Sequence, residues 1–546
     1  MKTTNILSCL VRLTIPLLAV AGMLEAQTYY VDKNHASASD SNPGTESQPW
    51  ATIQHAAETL VAGETVYIRA GVYYENIYFD NSGTEGNFIV FSAYAGEKPV
   101  IDGTGVTESQ NGMIINQSYL KITRLEIRNW EENAMWIEGA DHLEISDCEV
   151  HDVYYGIGLS AGTHDFELNR VVAHHFSLYG FDASPDGTDC YNGTFNDCVA
   201  HTGRDSEANV DGFALGHGTQ HDFVFNRCTT YNVYDGFDIS SRNSTLNNCL
   251  AYDCWNGAYK LWADQVTLIN CIGYNCSESV LELDWDEDPG TTTLMNCTFY
   301  NGQTYTIRVE SELDGLNMSN CILAGGDNIG LLFEETGIGN YHGDYNIFHN
   351  NNSERAIVVG YEDEFSLDQI TDGSWTGFSG QDAHSLVASS DASLFVNPGQ
   401  PDLHLLSGSL AVDHGTGTGA PSQDYEGNPR PSVSGYDIGA YEYQVGTNVK
   451  LTNYSATIPL TPILCQNYPN PFNPCTTISF ELPKASFASL KVYNVLGEEV
   501  AELVSDRLFG GMYEYQWQAT GLPGGFYFYQ IEAEHFQETR KMLLLQ

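Results

Sequence analysis

Apolar and polar residues alternate along this chain in short runs, and Asn, Gly and Asp interrupt the runs at nearly regular intervals. One segment recurs as LEISDCEVHD, FELNRVVAHH, GTFNDCVAHT, FVFNRCTTYN, STLNNCLAYD, VTLINCIGYN, TTLMNCTFYN and LNMSNCILAG. Its anchor positions are Cys148, Val171, Cys198, Cys228, Cys249, Cys271, Cys297 and Cys321, separated by 23, 27, 30, 21, 22, 26 and 24 residues. A helical repeat would be longer and would carry a 3.6-residue period. These runs are short and rich in β-branched and aromatic residues, which is the signature of strands joined by turns. Coils of about 22 residues that each bury one face against the next make a parallel β-helix.

In such a solenoid the anchor cysteines point inward and stack as small buried apolar groups. A column of anchors in one register makes a poor disulfide framework, so reduced thiols are expected, with Cys254 and Cys276 as a shorter second register. The Asn before the anchor (Asn248, Asn270, Asn296, Asn320) suggests a stacked amide ladder of structural use. Upstream, PWATIQHAAETL has the spacing of a short amphipathic helix, with Thr52 as N-cap, suited to plugging the apolar end of the solenoid. The β-helix with this cap is assigned to residues 27–390. Residues 391–443, with DIGAYEY near their end, resemble the closing segment of secreted β-helix proteins. Residues 444–463 read as a linker. Residues 464–546 alternate as in a small β-sandwich. Asn467-Tyr468-Pro469-Asn470-Pro471-Phe472-Asn473-Pro474, Val492-Tyr493-Asn494-Val495-Leu496-Gly497 and Gly524-Gly525-Phe526-Tyr527 resemble the sorting domain of the type IX secretion system. That resemblance implies export by that machinery to the medium or the cell surface. Cys465 and Cys475 lie close enough in sequence there to pair.

Composition sharpens the picture. The 71 acidic residues outnumber 22 basic ones for a net charge of −49. Such a surface repels nucleic acid and anionic membranes, and a polyanionic ligand would require a bound cation. Residues 1–26 read as a signal peptide: Lys2 and Arg12, an apolar run from Leu13 to Leu24, and Leu24-Glu25-Ala26 before Gln27. The run is shorter than the roughly 20 residues of a membrane span, so no span is expected after processing. A monomer is expected.

The candidate chemistry comes from aligning coils backwards from their anchors. Asp238 lies 11 residues before Cys249 and Lys260 lies 11 before Cys271. They therefore share a register on successive coils, about 4.8 Å apart in height. Asp211-Gly212-Phe213-Ala214 matches Asp235-Gly236-Phe237-Asp238, so three coils present Asp211, then Asp235 and Asp238, then Lys260. No other lysine occurs between residues 122 and 449; the plain alternative is a surface salt bridge with Asp238. Carboxylates from adjacent coils suit Ca²⁺. A metal beside a uronate carboxylate would acidify the neighbouring C–H for removal by a neutral lysine. Weaker candidates surround this column. Arg204 and Arg242 would clamp carboxylates, His217 and His221 would touch substrate, and Tyr259, Trp262, Trp255 and Trp285 would stack on sugars. Asp182, Asp205 and Glu207 would complete a metal site or cap turns. The run Glu282, Asp284, Asp286, Glu287, Asp288 reads as a solvated turn.

The stretches Asn209-Val210-Asp211-Gly212-Phe213-Ala214, Tyr234-Asp235-Gly236-Phe237-Asp238 and Ala258-Tyr259-Lys260-Leu261 resemble the family 9 polysaccharide lyases, chiefly pectate lyases. The resemblance implies a right-handed parallel β-helix, Ca²⁺ on Asp211, Asp235 and Asp238, Lys260 as the base, and an acidic, pectate-like polysaccharide as substrate. The family's paired aspartates appear here as Tyr234-Asp235, and its Asn-Gly-Phe-Lys as Gly257-Ala258-Tyr259-Lys260. Competing readings are a uronan epimerase, a hydrolase on the same scaffold with two facing carboxylates about 5 to 9 Å apart, and a non-catalytic carbohydrate-binding surface protein.

Overall fold

The computed structural model describes residues 27–545, apart from short stretches at 184–188, 205–208, 217–219, 285–289, 311–313, 400–401, 433, 445–448, 454–461, 484–485, 509–510, 520–521 and 534–535. The signal peptide assigned to residues 1–26 lies outside them. The body is a right-handed parallel β-helix of about 11 turns. Each coil contributes three strands. The strands that precede the anchors form a 13-stranded sheet from Thr28–Val31 to Tyr341–Asp344. The strands after the anchors and those of the DGFD type form the other two faces. These are merged where Glu149–Ser160 and Val172–Ala183 run on around the corner.

The corner at each anchor is set by the residue just before it. Asp147, Arg170, Asp197, Arg227, Asn248, Asn270, Asn296 and Asn320 all have φ between 53° and 57°. That left-handed conformation is tolerated best by Asn and Asp, which explains their frequency there. At the position just before the anchor the amides bond to each other at one step, Asn320 donating to Asn296 at 3.2 Å, and a longer amide ladder runs one residue earlier. Asn196 donates to Asn169 at 2.9 Å, Asn226 to Asn196 at 2.9 Å and Asn247 to Asn226 at 3.1 Å. The anchor cysteines are buried free thiols. Several donate to a carbonyl of the preceding coil, as Cys198 does to Leu168 at 3.3 Å and Cys271 to Leu246 at 3.3 Å.

Inside the solenoid, aromatic rings stack coil on coil. Phe181, Phe213, Phe237 and Tyr259 follow one another at 4.6, 4.8 and 5.3 Å with near-parallel planes. The first helix spans Ile53–Thr59, with the Thr52 side chain accepting from the His55 amide as N-cap, and buries Ile53, Ala56 and Ala57 in the same core.

The other end is closed differently from the expectation. Short helices at Leu367–Thr371 and Ser374–Ser379 put Ile370 and the fully buried Trp375 against the core. Residues 391–443 instead fold back along the outside. There Asn248 donates to Asp424 and Tyr425, Asn270 to Gln423, Asn296 to Asp437 and Gly439, and Asn320 to Thr416. The left-handed turn residue is aimed outward, so its amide reaches the returning chain.

The C-terminal unit has two four-stranded antiparallel sheets around its own core, which includes Ile478, Phe480, Leu490, Val492, Tyr529 and Ile531. The span read as a linker contributes Val449–Asn453 to one of these sheets. Cys465 and Cys475 are free.

Candidate functional site

The strands of the DGFD type carry two outward columns. Pairing aligns Trp136, Gly158, Asp182, Ala214, Asp238, Lys260, Glu282 and Arg308 on successive coils. The second column, three residues earlier, aligns Asn133, Tyr155, Tyr179 and Asp211, and the pairing of Phe213 with Phe237 continues it to Asp235. In the strand Gly257–Leu261, alternation sends Tyr259 and Leu261 into the core and Lys260 out. The stacked Phe237 and Tyr259 therefore fix the backbone from which Asp238 and Lys260 project.

Lys260 Nζ lies 3.8 Å from Asp235 Oδ2 and 4.2 Å from the ring centroid of Trp262. Asp235 Oδ1 accepts from the Asn256 side chain at 2.8 Å and the Gly257 amide at 2.9 Å. Its buried Oδ2 has no hydrogen-bond partner among the described residues. Asp211 is fully buried; its Oδ1 accepts from the Asp235 amide at 3.1 Å and its Oδ2 from Asn209 at 2.9 Å. These bonds place Asp211 and Asp235 side by side before any ligand arrives.

The electrostatics follow from burial. Asp211 is pushed well above the carboxylate range by desolvation and by Asp235 and Asp238. Desolvation raises Asp235 as well, against the pull of Lys260. Asp238 is pushed up to about 7 by burial, Asp235 and Glu282, and Asp182 to about 7 by burial alone. Burial by itself would depress the Lys260 ammonium, but Asp235, Asp238, Glu282 and Asp211 outweigh it and raise it. Lys260 is thus held protonated by its neighbours, and a cation among those carboxylates would release it.

Several sequence-derived candidates fall elsewhere. Tyr259 is fully buried, with its hydroxyl 2.9 Å from the carbonyl oxygens of Cys249 and Ile272. It cannot stack on a sugar, because a strand that turns Lys260 outward turns both neighbours inward. Arg204 pairs with Asp152 at a turn on an adjacent face. Arg242 is an exposed turn residue whose amide donates to Gln220 at 2.9 Å. His221 stacks on Tyr191 on the 13-stranded sheet. Trp255 sits in the turn before Gly257–Leu261. His217, Asp205, Glu207, Trp285, Asp286, Glu287 and Asp288 lie outside the described residues.

Two members of the column were hidden. Glu282 is not a solvated turn residue. It is 7% exposed, in register with Lys260, and accepts from Ser279 Oγ at 3.3 Å. Arg308 follows it, ion-paired with Glu334 at 2.8 Å, with Glu310, and with Glu282 at 3.8 Å. Turn insertions of different length place Glu282 15 residues and Arg308 13 residues before their anchors, so counting back 11 misses both.

Among the described residues, Glu149, His151 and His174 bring three possible ligand atoms within 4.8 Å of one another. Their geometry is that of an ion-pair network. The two imidazoles stack face to face at 4.7 Å and 6°, so one ion cannot lie in both ring planes. The Lys98 ammonium already contacts Glu149 at 2.5 Å.

Residues 29–308, 280 of the 546, match the family described as Pel9A-like, right handed beta helix region. The chain belongs to this family. Residues 466–545 match the secretion system C-terminal sorting domain, which supports secretion or cell-surface attachment. Pectate lyase L of Paenibacillus polymyxa is 26% identical over 289 residues, covering 46% of this chain and 59% of that protein. Pectate lyase PEL9 of Emericella nidulans is 26% identical over 208 residues, covering 37% and 47%. The uncharacterized protein YwoF of Bacillus subtilis is 35% identical over 136 residues, covering 23% and 28%. The chain thus spans between 28% and 59% of these relatives' lengths. The crystal structure of pectate lyase Pel9A is 16% identical with a TM-score of 0.44, covering 78% of this chain and 98% of that one. Two of these distant relatives are named as pectate lyases. No described helix is long and apolar enough to cross a membrane.

Proposed function

We propose that the protein is an exported lyase that cleaves a uronate-containing, pectate-like polysaccharide by β-elimination, with Lys260 as base and Asp211, Asp235 and Asp238 as the holders of Ca²⁺. The observation that carries this reading is the placement of Lys260 Nζ 3.8 Å from a buried carboxylate oxygen, Asp235 Oδ2, that has no hydrogen-bond partner among the described residues. The donor set fits the ion. It is all oxygen and anionic, and it is buried enough that the carboxylates are costly to ionise without a cation. Bound there, calcium would supply positive charge against the carbanion that develops beside the uronate carboxylate.

The protein's own groups do the rest. Lys260, relieved of its carboxylate partners, is a neutral amine on the outward face of its strand and takes the proton alpha to the uronate carboxylate. The electron pair of that C–H bond becomes the new carbon–carbon double bond as the bond to the leaving sugar oxygen breaks. Trp262 packs against the ammonium that forms, in cation–π geometry. Asn256 and the Gly257 amide keep Asp235 oriented.

The test is the ultraviolet absorbance of an unsaturated uronide, followed on a panel of uronans with and without chelator. The expected result is a product absorbance that chelator abolishes and added calcium restores. No absorbance on any uronan, or turnover indifferent to chelator, would overturn the reading.

A further inference from the structure

Toward the N-terminal end, the two site columns change character. Below Asp211 the inner column carries Tyr179 and Tyr155, and below Asp182 the outer one carries Gly158 and Trp136. Trp136, Tyr155 and Tyr179 are all half-buried, and Tyr154 beside them is 42% exposed. Tyr155 lies 5.8 Å from Tyr179 and 4.9 Å from Tyr154, ring to ring. Gly158 makes room for the indole: a Cβ there would lie 2.7 Å from Trp136 Cε3. The Trp136 ring therefore rests across the next coil instead of standing out from its own.

The C-terminal flank is the opposite. Beyond Lys260 come Glu282 and Arg308, whose guanidinium is shared among Glu282, Glu310 and Glu334. Three carboxylates around one cation leave a negative wall, which a uronate carboxylate would have to meet unpaired.

We propose that Trp136, Tyr155 and Tyr179 are a sugar-stacking platform that seats the polysaccharide on the N-terminal side of Lys260, so that the substrate extends over the aromatic coils and not over the acidic ones. This rests on the lyase reading of the Lys260 site. Tyrosine and tryptophan rings offer rigid apolar faces with a polar edge, which suits the faces of pyranose rings. The platform is continuous in register with the reactive column. Its repeat, about 4.8 Å per coil, is close to the length that one pyranose adds to an extended glycan.

The experiment is steady-state kinetics on a length series of oligogalacturonides, with a fluorescence titration of the same sugars. Trp136→Ala and Tyr155→Ala should raise KM on the longer oligosaccharides by about tenfold with kcat kept, a penalty that grows with length. Tyr155→Phe, which retains the ring, should keep the wild-type KM, separating stacking from misfolding. Wild-type KM values on long substrates in both alanine variants would overturn the platform. Absence of unsaturated product from the wild-type protein would sink the lyase reading alone. The platform is then judged by tryptophan emission, which the oligosaccharides should quench in the wild type and not in Trp136→Ala; equal quenching in both would overturn it.

Discussion

Lys260→Ala takes away the proposed base and none of the proposed ligands. It should lower turnover by about 10²- to 10⁴-fold while calcium binding, measured by calorimetry, is retained. Lys260→Arg should fail almost as badly, because a guanidinium stays protonated. Asp235→Ala should behave differently, losing activity that excess calcium partly restores, since a lost ligand weakens metal affinity. Near-normal turnover by Lys260→Ala on a uronan that the wild type cleaves would remove it as the base. At the same scale, Asp102 gives a pH dependence. Burial pushes its carboxyl up, but bonds from Thr104, Arg128 and Asn129 outweigh that and bring it down to about 2 from 3.8. A depressed folded-state pKa stabilises above the unfolded value, and that contribution is lost as pH falls from 3.8 through 2. The thermal midpoint of Asp102→Asn should therefore show a flatter acid limb than the wild type over that window. Identical limbs would show that Asp102 contributes nothing there.

Elements hold the site by stacking identical positions. The rings of Phe181, Phe213, Phe237 and Tyr259 form one interior column, and the residue after each belongs to the column of Asp182, Ala214, Asp238 and Lys260. Phe237→Ala should cost about 3–5 kcal/mol, seen as a lower unfolding midpoint, and should loosen Asp238 and Lys260 together. A change within error would mean that neighbouring coils close the gap. The thiol column makes a second prediction at this scale. Ten cysteines from Cys148 to Cys321 are buried and outside any disulfide, and burial pushes the Cys148 thiol up to about 12. In native protein a thiol reagent should reach Cys465 and Cys475 first, with the buried ten reacting only on unfolding. Mass mapping that found the ten paired with one another would contradict the ladder.

For the whole molecule, the two cores are separate. The solenoid core runs from Val31 to Trp375 and the C-terminal core from Leu464 to Leu544. A truncated protein ending near Tyr443 should fold, because it keeps both end caps and the returning segment held by the asparagines, and it should keep its activity. Loss of activity in a well-folded truncated form would show that the sorting domain contributes to the site. Loss of the fold would show that the strands after Tyr443 are needed by the solenoid.

The repeat of short alternating strands was enough to read the solenoid, its inward thiols and the N-terminal helix with its Thr52 cap, because each depends on local spacing and on burial with a fixed period. The shared register of Asp238 and Lys260 was legible for the same reason: no insertion separates their strands from the anchors that follow. Tertiary structure decided what local pattern cannot carry. Glu282 and Arg308 joined the column only in space, since turn insertions of unequal length shift sequence offsets without shifting strand pairing. Tyr259 went to the core because the backbone, and not its residue type, chooses the face. The path of residues 391–443 along the outside is fixed by hydrogen bonds to asparagines more than 90 positions away, and sequence spacing holds no record of contacts at that distance.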